Sequence, residues 1–237
     1  MTETEFIKEI EKLGININKN QLEQLEHYYE LLVEWNEKMN LTGITEKSQV
    51  YLKHFYDSLT LAKVINLEEQ ETLCDVGSGA GFPGLVLKIL FPNLKVTLVD
   101  SLQKRITFLE TVIKELKLVN IEALHMRAEE YGRNEREKFD VVTARAVAPL
   151  NILSEYCLPL VKCGKYFIAM KGDIAREIKD FTVIEKELMC AISKPLEFKL
   201  PYENSTRTLI KIEKKNLTPK KYPRKFSEIK KKPISTH

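Results

Sequence analysis

Three carboxylates, four closely set glycines and one arginine carry the chemistry this 237-residue chain can do. The glycines fall in DVGSGAGFPG, residues 75–84, directly after the apolar run TLC. Glycine reaches φ > 0 and lets a flat ligand approach the main chain without striking a Cβ. At a strand-to-helix turn the free N–H groups suit a nucleoside or a phosphate, and Pro83 fits the first turn of the helix that follows. Asp100 ends the run KVTLVD, where a carboxylate can accept hydrogen bonds from both ribose hydroxyls of an adenosyl group. Glu129 follows a third such run, either as an acid beside an adenine or as a surface carboxylate that starts a helix. Arg145 ends a fourth run, FDVVTAR, a setting in which a cation needs an anionic ligand or an internal ion pair.

The register of the glycines narrows the ligand. Gly79, Gly81 and Gly84 formally satisfy G-x-G-x-x-G, but a dinucleotide fingerprint starts immediately after its strand, and counting from Gly77 puts Phe82 in the third glycine slot. A phosphate loop of the Walker type needs Lys-Ser/Thr after its last glycine, and Leu85-Val86 stand there. The register that fits is D-x-G-x-G-x-G, from Asp75 through Gly77 and Gly79 to Gly81, which resembles motif I of the class I S-adenosylmethionine (SAM) methyltransferases. Methyl transfer from a sulfonium is an in-line displacement, so the acceptor decides which further groups are required. The segment TARAVAPL lacks the Asn/Asp-Pro-Pro-aromatic pattern that holds an exocyclic amine, and it has no cysteine for attack on a cytosine ring. An unprotonated ring nitrogen such as guanine N7 needs no general base, so positioning and desolvation carry its catalysis.

These residues require elements that bring four strand ends to one edge. From about residue 71, β-branched runs alternate with helical patterns: TLCDVG, KVTLVD, IEALHMRA, FDVVTARA and KYFIAMKG are separated by PGLVLKILF, QKRITFLETVIKELKL and LNILSEYCLPLV. DIAREIKDFTVIEKEL reads as one more helix, and LEFKLP and TRTLIKIEKK as a closing pair of strands. Nearly continuous apolar strands between helices predict an α/β parallel sheet covered on both faces. Residues 1–65 show helical spacing instead, with Asn18 as an N-cap and a break expected near His54. The expected division is a helical N-terminal extension over 1–65, a Rossmann-like SAM-binding domain over 66–213 and a basic C-terminal tail over 214–237.

Composition limits the alternatives. No apolar run approaches the ~20 residues of a membrane span, and the acidic, amphipathic start MTETEFIKEIEK is unlike a signal peptide, so a cytoplasmic protein is expected. Cys74, Cys157, Cys163 and Cys190 are scattered, as are His27, His54, His125 and His237, and no metal or disulfide is expected. The net charge is only +3, yet ten Lys/Arg against two Glu lie between Lys211 and Lys232. Such a run is either a solvated tail or an arm for nucleic-acid phosphates.

Across nearly the whole chain, WNEKMNLT (35–42), HFYDSL (54–59), DVGSGAGFPGLVL (75–87), VTLVDSLQKRITFL (96–109), RAEE (127–130), FDVVTARAV (139–147), MKG (170–172) and TPKKYPRK (218–225) occur in order. On these segments the sequence resembles the RsmG (GidB) family of bacterial 16S rRNA guanosine-N7 methyltransferases. The resemblance implies methyl transfer from SAM to guanosine 527 in the 530 loop of the small-subunit rRNA. It implies a cofactor site built from Asp75, Gly77, Gly79, Gly81, Phe82, Asp100, Ser101, Leu102, Ala128, Glu129 and Arg145. RNA contacts are expected from Lys171 and Arg207 and, in the tail, from Lys220, Lys221, Tyr222, Arg224 and Lys225. On this reading the partner is 16S rRNA or the small ribosomal subunit, the protein is a monomer, and loss of the tail after Lys214 weakens RNA binding much more than SAM binding. The sequence departs from the family pattern at Asp100, where many members have Glu, and at Leu85-Val86, which replace a common Ile-Pro. Trp35, Asn40 and His54 recur in the family pattern, and the helices carrying them read as packing on the sheet. The alternatives are an NAD-dependent oxidoreductase and a catalytically dead RNA-binding module on the same fold.

Overall fold

The computed structural model describes residues 1–235; His237, the fourth of the dispersed histidines, and the end of the predicted tail lie outside them. The chain opens with helices α1 (Glu3–Glu11) and α2 (Lys19–Met39). Thr2 caps α1 and Asn18 caps α2, the latter accepting from the Gln21 N–H at 3.0 Å while Gln21 returns the bond. Each cap satisfies donors that the first helical turn leaves without partners. After the short α3 (Lys47–Val50) the chain widens into a π-helical stretch, Tyr51–Tyr56, then narrows into α4 (Asp57–Leu59). The expected break near His54 is therefore a local change of helical pitch, a feature that often marks functional positions.

The sheet contains β1 (Thr72–Val76), β2 (Lys95–Asp100), β3 (Ile121–His125), β4 (Phe139–Arg145), β5 (Val161–Lys171), β6 (Cys190–Ile192), β7 (Leu196–Lys199) and β8 (Thr206–Lys214). The strand order is 3-2-1-4-5-8-6, with β7 also on β8. Strands 1 to 5 are parallel, and β8 runs antiparallel between β5 and the edge. β6 and β7 pair in succession with the same side of β8, making an edge strand interrupted over residues 193–195. The crossovers are α5 (Gly84–Leu90), α6 (Gln103–Glu115), α7 (Ala128–Asn134), α8 (Leu150–Cys157) and α9 (Phe181–Leu188). Helix α9 starts eight residues later than the predicted helix, after the irregular stretch 173–177 and a 3-10 turn over Ile178–Asp180.

Two apolar cores lie on opposite faces of this sheet. One joins Phe6, Leu25, Tyr28, Phe55 and Leu59 of the N-terminal helices to Leu73, Leu85, Leu98 and Phe108, so the extension shares a continuous core with the sheet. Every residue of α5 is buried because it lies between the sheet and those helices. The other joins Val142, Leu153, Cys157 and Phe167 to Tyr222, Ile229 and Ile234. The basic C-terminal stretch thus supplies core side chains, including Ile229 of α10 (Phe226–Lys231). The order reverses at β1, whose neighbours β2 and β4 lead to opposite ends of the sheet. The crevice at that reversal, beyond the carboxyl ends of the strands, is where open α/β sheets bind ligands.

Candidate active site

A cavity of about 640 Å³ occupies this crevice. Of the residues predicted for a cofactor, Gly77, Gly79, Phe82, Asp100, Ser101, Ala128, Glu129 and Arg145 line it. Asp75, Gly81 and Leu102 do not. Asp75 is fully buried beneath the loop, where Oδ2 accepts from the Gly84 N–H at 2.9 Å and Oδ1 has no hydrogen-bond partner among the described residues. Burial pushes its carboxyl up to about 7. Gly81 (φ +97°) faces the helical core: a Cβ there would lie 2.3 Å from Leu85 Cδ1 and 2.6 Å from the Tyr28 hydroxyl, which itself donates to the Ala80 carbonyl. Leu102 turns its side chain to solvent, while its N–H donates to Asp100 Oδ1 at 3.0 Å. The four glycines thus divide between ligand and core. Gly77 (φ +73°) lies against Val147, which a Cβ would meet at 2.5 Å; at Gly79 (φ +60°) a Cβ would meet no atom nearer than 3.9 Å.

The acidic groups fit an adenosyl ligand. Asp100 is 2% exposed, and its Oδ2 accepts from the Gly79 N–H at 2.9 Å and from Arg105 at 3.1 Å. A carboxylate offers about four acceptor positions. One remains vacant, and another is held by Arg105, whose side chain is 37% exposed and free to release it. That pair of positions matches a ribose diol. Glu129 does start a helix, but it is only 4% exposed, and its carboxylate has no hydrogen-bond or ion-pair partner among the described residues. It is an acceptor waiting for a donor such as an exocyclic amine.

The N-terminal helices contribute more than packing. His54 stacks on Phe82 with ring centroids 4.4 Å apart and 14° between planes. Its Nδ1 faces Arg145 Nη2 at 3.3 Å, and its Nε2 lies 2.9 Å from the Thr42 hydroxyl. A guanidinium only donates, so Nδ1 accepts and the proton sits on Nε2. Burial first, and Arg145 second, lower this imidazole to about 3. Arg145 also donates to the Lys53 carbonyl and pairs with Asp57 Oδ2 at 3.0 Å. The other Asp57 oxygen accepts from Arg207 Nε at 3.1 Å. Arg145 therefore has an internal partner and still lines the cavity.

A second cavity of about 420 Å³ adjoins the first and shares His54, Arg145 and Ala146 with it. Ala146 takes φ +55°, a left-handed conformation that non-glycine residues adopt at a cost and that is concentrated at functional sites. Lys53, Asp57, Lys171 and Arg207 line this second space.

A profile of the family described as rRNA small subunit methyltransferase G matches residues 21–200. A protein of Exiguobacterium sibiricum named ribosomal RNA small subunit methyltransferase G is 49% identical over 237 residues, 99% of this chain and 100% of that one. A Bacillus cereus protein of the same name is 53% identical over 233 residues, 97% and 98% of the two chains. This chain belongs to the rRNA small subunit methyltransferase G family. Its fold is that of class I SAM methyltransferases. A SAM-dependent methyltransferase from Aquifex aeolicus superposes with a TM-score of 0.51 at 18% identity over 70% of this chain and 93% of that one. TYW2 from P. horikoshii, solved with MeSAdo, gives 0.52 at 19% over 66% and 60%.

The RNA-contact residues predicted for this family member lie in three settings. Lys171, 2.8 Å from the Ala148 carbonyl and 3.1 Å from Glu177, and Arg207 are in the second cavity. Lys220, Lys221 and Lys225 are on the surface, with Lys221 paired to Glu187 at 2.8 Å. Tyr222 and Arg224 are turned inward: the Tyr222 hydroxyl donates to Glu187 at 2.6 Å, and Arg224 grips Glu155 with two side-chain bonds of 2.9 and 2.6 Å. Asp57, Thr42 and Arg105 were not singled out from the sequence. All three lie inside quoted segments, Thr42 in WNEKMNLT, Asp57 in HFYDSL and Arg105 in VTLVDSLQKRITFL, and residence in those segments is the signal the sequence offers.

Proposed function

We propose that this chain transfers the methyl group of SAM to N7 of guanosine 527 of 16S rRNA, with the adenosyl part in the larger cavity and the target base in the smaller. The observation that carries the reading is the meeting of the two cavities at His54, Arg145 and Ala146, with the acids Asp100 and Glu129 in the larger and four cations, Lys53, Arg145, Lys171 and Arg207, in the smaller. SAM would supply an electrophilic methyl on a sulfonium: a ring nitrogen with a free lone pair attacks the methyl carbon, the C–S bond breaks and S-adenosylhomocysteine leaves, so no general base is required. Asp100 would hold the ribose hydroxyls and Glu129 the adenine amine, while the main chain at Gly77 and Gly79 leaves room for the ligand. His54 presents a neutral, stacked ring and adds no positive charge beside a cationic donor and a base that becomes cationic. Arg145 is a positioning residue held by Asp57 and His54. Lys171 and Arg207 would meet the RNA at the smaller cavity, and Lys220, Lys221 and Lys225 could meet phosphates from the surface.

We read the protein as a cytoplasmic monomer acting on rRNA or the small subunit. Among the described residues no helix is long and apolar enough to cross a membrane, and no cluster of side chains could hold a metal ion. The test is transfer of labelled methyl from SAM to small subunits lacking the modification, followed by digestion and nucleoside separation. Label in 7-methylguanosine is expected. Label in another nucleoside, or none from a protein that binds SAM, would overturn the assignment.

A further inference from the structure

Phe226 and Lys230 stand in the wall of the larger cavity. They belong to the basic C-terminal segment, outside the residues matched by the family profile, where the sequence suggests an RNA-binding arm. The structure fastens this segment to the fold instead. Besides its two side-chain bonds, Arg224 donates its backbone N–H to Glu155 at 2.8 Å, and the Glu155 side chain is wholly buried. Arg133 donates to the carbonyls of Pro223 and Arg224 at 3.1 and 2.7 Å, and Arg136 to that of Tyr222 at 2.6 Å. Ile229 is fully buried on the inner side of α10.

These anchors bring Phe226 to a particular part of the cavity. Its ring lies 4.9 Å from the Arg127 guanidinium carbon, and Arg127 immediately precedes Ala128 and Glu129. Ile152 and Tyr156, one turn apart on the helix that carries Glu155, line the same cavity. Phe226 is 42% exposed at the edge of the open cavity, so a flat ligand beside its ring would cover apolar surface that is now wet. An aromatic face beside an unpartnered buried carboxylate is a recognition set for a purine that carries an exocyclic amine: the ring stacks and the amine donates.

We infer that the C-terminal segment forms the adenine wall of the cofactor site, with Phe226 covering the base that Glu129 engages. This rests on the reading of the cavity as a SAM site. Tail and cofactor are then coupled through α8, which presents Glu155 to the one and Ile152 and Tyr156 to the other. The segment acts first on cofactor affinity, the reverse of the order expected for a solvated RNA arm.

The experiment compares the full chain with Phe226→Ala and with a chain ending after Lys225, which loses α10 and keeps Arg224. Binding of SAM and of S-adenosylhomocysteine is measured by calorimetry, and binding of an RNA fragment of the small subunit by anisotropy without cofactor. Stacking of a base on an aromatic side chain corresponds to roughly five- to a hundred-fold in affinity. Phe226→Ala is expected to raise both cofactor dissociation constants by a factor in that range and to change RNA affinity less than twofold. An exposed ring is dispensable for folding, and an unchanged urea midpoint checks this. Unchanged cofactor affinity in Phe226→Ala, or a loss confined to RNA, overturns the proposal. Failure of the unaltered chain to bind SAM overturns the parent reading, and the adenine wall with it.

Discussion

Asp57→Asn probes the link between the N-terminal helices and the site. Asp57 is 3% exposed and stands between Arg145 and Arg207, at 3.0 and 3.1 Å, so one carboxylate ties α4 to β4 and β8. Asparagine keeps the volume and one acceptor but turns an amide N–H₂ toward a guanidinium that can only donate. Breaking a fully buried pair costs about 3–5 kcal/mol. The two arginine side chains remain 15% and 25% exposed, so water recovers part of this, and about 2–3 kcal/mol is the expected loss. For a domain of this size, 1 kcal/mol moves Tm by about 2–4 °C, so Tm should fall by roughly 5–10 °C. Urea melts near neutral pH, with an unchanged m-value, measure the loss directly. The double variant D57N/R207M should be less destabilised than the two single losses added together, because the second change removes one stranded cation. A loss below about 0.5 kcal/mol for Asp57→Asn would place the cluster among ordinary surface ion pairs and refute the reasoning.

Two further predictions concern stability. His54, lowered to about 3 from 6.5, declines a proton that the unfolded chain accepts, so its contribution is lost as pH falls below 6.5. Asp75, raised to about 7 from 3.8, keeps a proton that the unfolded chain releases, so its contribution is lost as pH rises from 3.8 through 7. Between pH 4 and 6.5 the two slopes oppose each other, each at up to about 1.4 kcal/mol per pH unit. Relative to the unaltered chain, stability should rise more steeply with pH in Asp75→Asn and less steeply in His54→Gln; parallel curves from melts at several pH values would contradict both assignments. Gly81→Ala combines a positive φ with a clash against Tyr28 and Leu85, and should cost about 2–4 kcal/mol. Gly79→Ala meets open space and should cost only about 1–2 kcal/mol in folding, and urea midpoints in the opposite order would reverse the division of the loop between core and ligand.

Local pattern made most of the sheet legible. Strands buried on both faces need nearly unbroken apolar runs, and β1, β2 and β4 carry them, so their carboxyl ends could be placed in advance; β5 is continuously buried only over Phe167–Met170, and its start at Val161 lies in the stretch LNILSEYCLPLV that reads as helix. β6 escaped because three residues, Cys190–Ile192, give no period to read. The site's second half escaped for a different reason. Asp57 meets Arg145 and Arg207 across 88 and 150 residues of chain, and no spacing in a single sequence carries such a pairing. In the loop, Gly77 and Gly81 serve the same local turn, and only the position of Tyr28 shows that one of them faces a core. In the tail, abundant lysines conceal the few residues that dock it: Tyr222, Arg224 and Ile229 are the anchors, while Lys220, Lys225 and Lys232 remain at the surface.

The charge arrangement follows from what such a site must tolerate. A methyl donor with a sulfonium and a product base with a fixed positive charge both work against cations nearby, yet a polyanionic substrate must be drawn in. Three carboxylates answer the four cations lining the smaller cavity: Asp57 is shared by Arg145 and Arg207, Glu203 pairs with Lys53 at 3.1 Å and Glu177 with Lys171. His54, between the two cavities, is kept neutral by burial first and by the neighbouring Arg145 guanidinium second. On the proposed reading, exposed lysines outside the cavities, Lys220 and Lys225 among them, would supply long-range attraction that salt screens within about 10 Å. On the proposed reading attraction and chemistry are thereby separated: the rim would draw in phosphates, while ion pairing inside the smaller cavity would limit the repulsion on a base that becomes a cation.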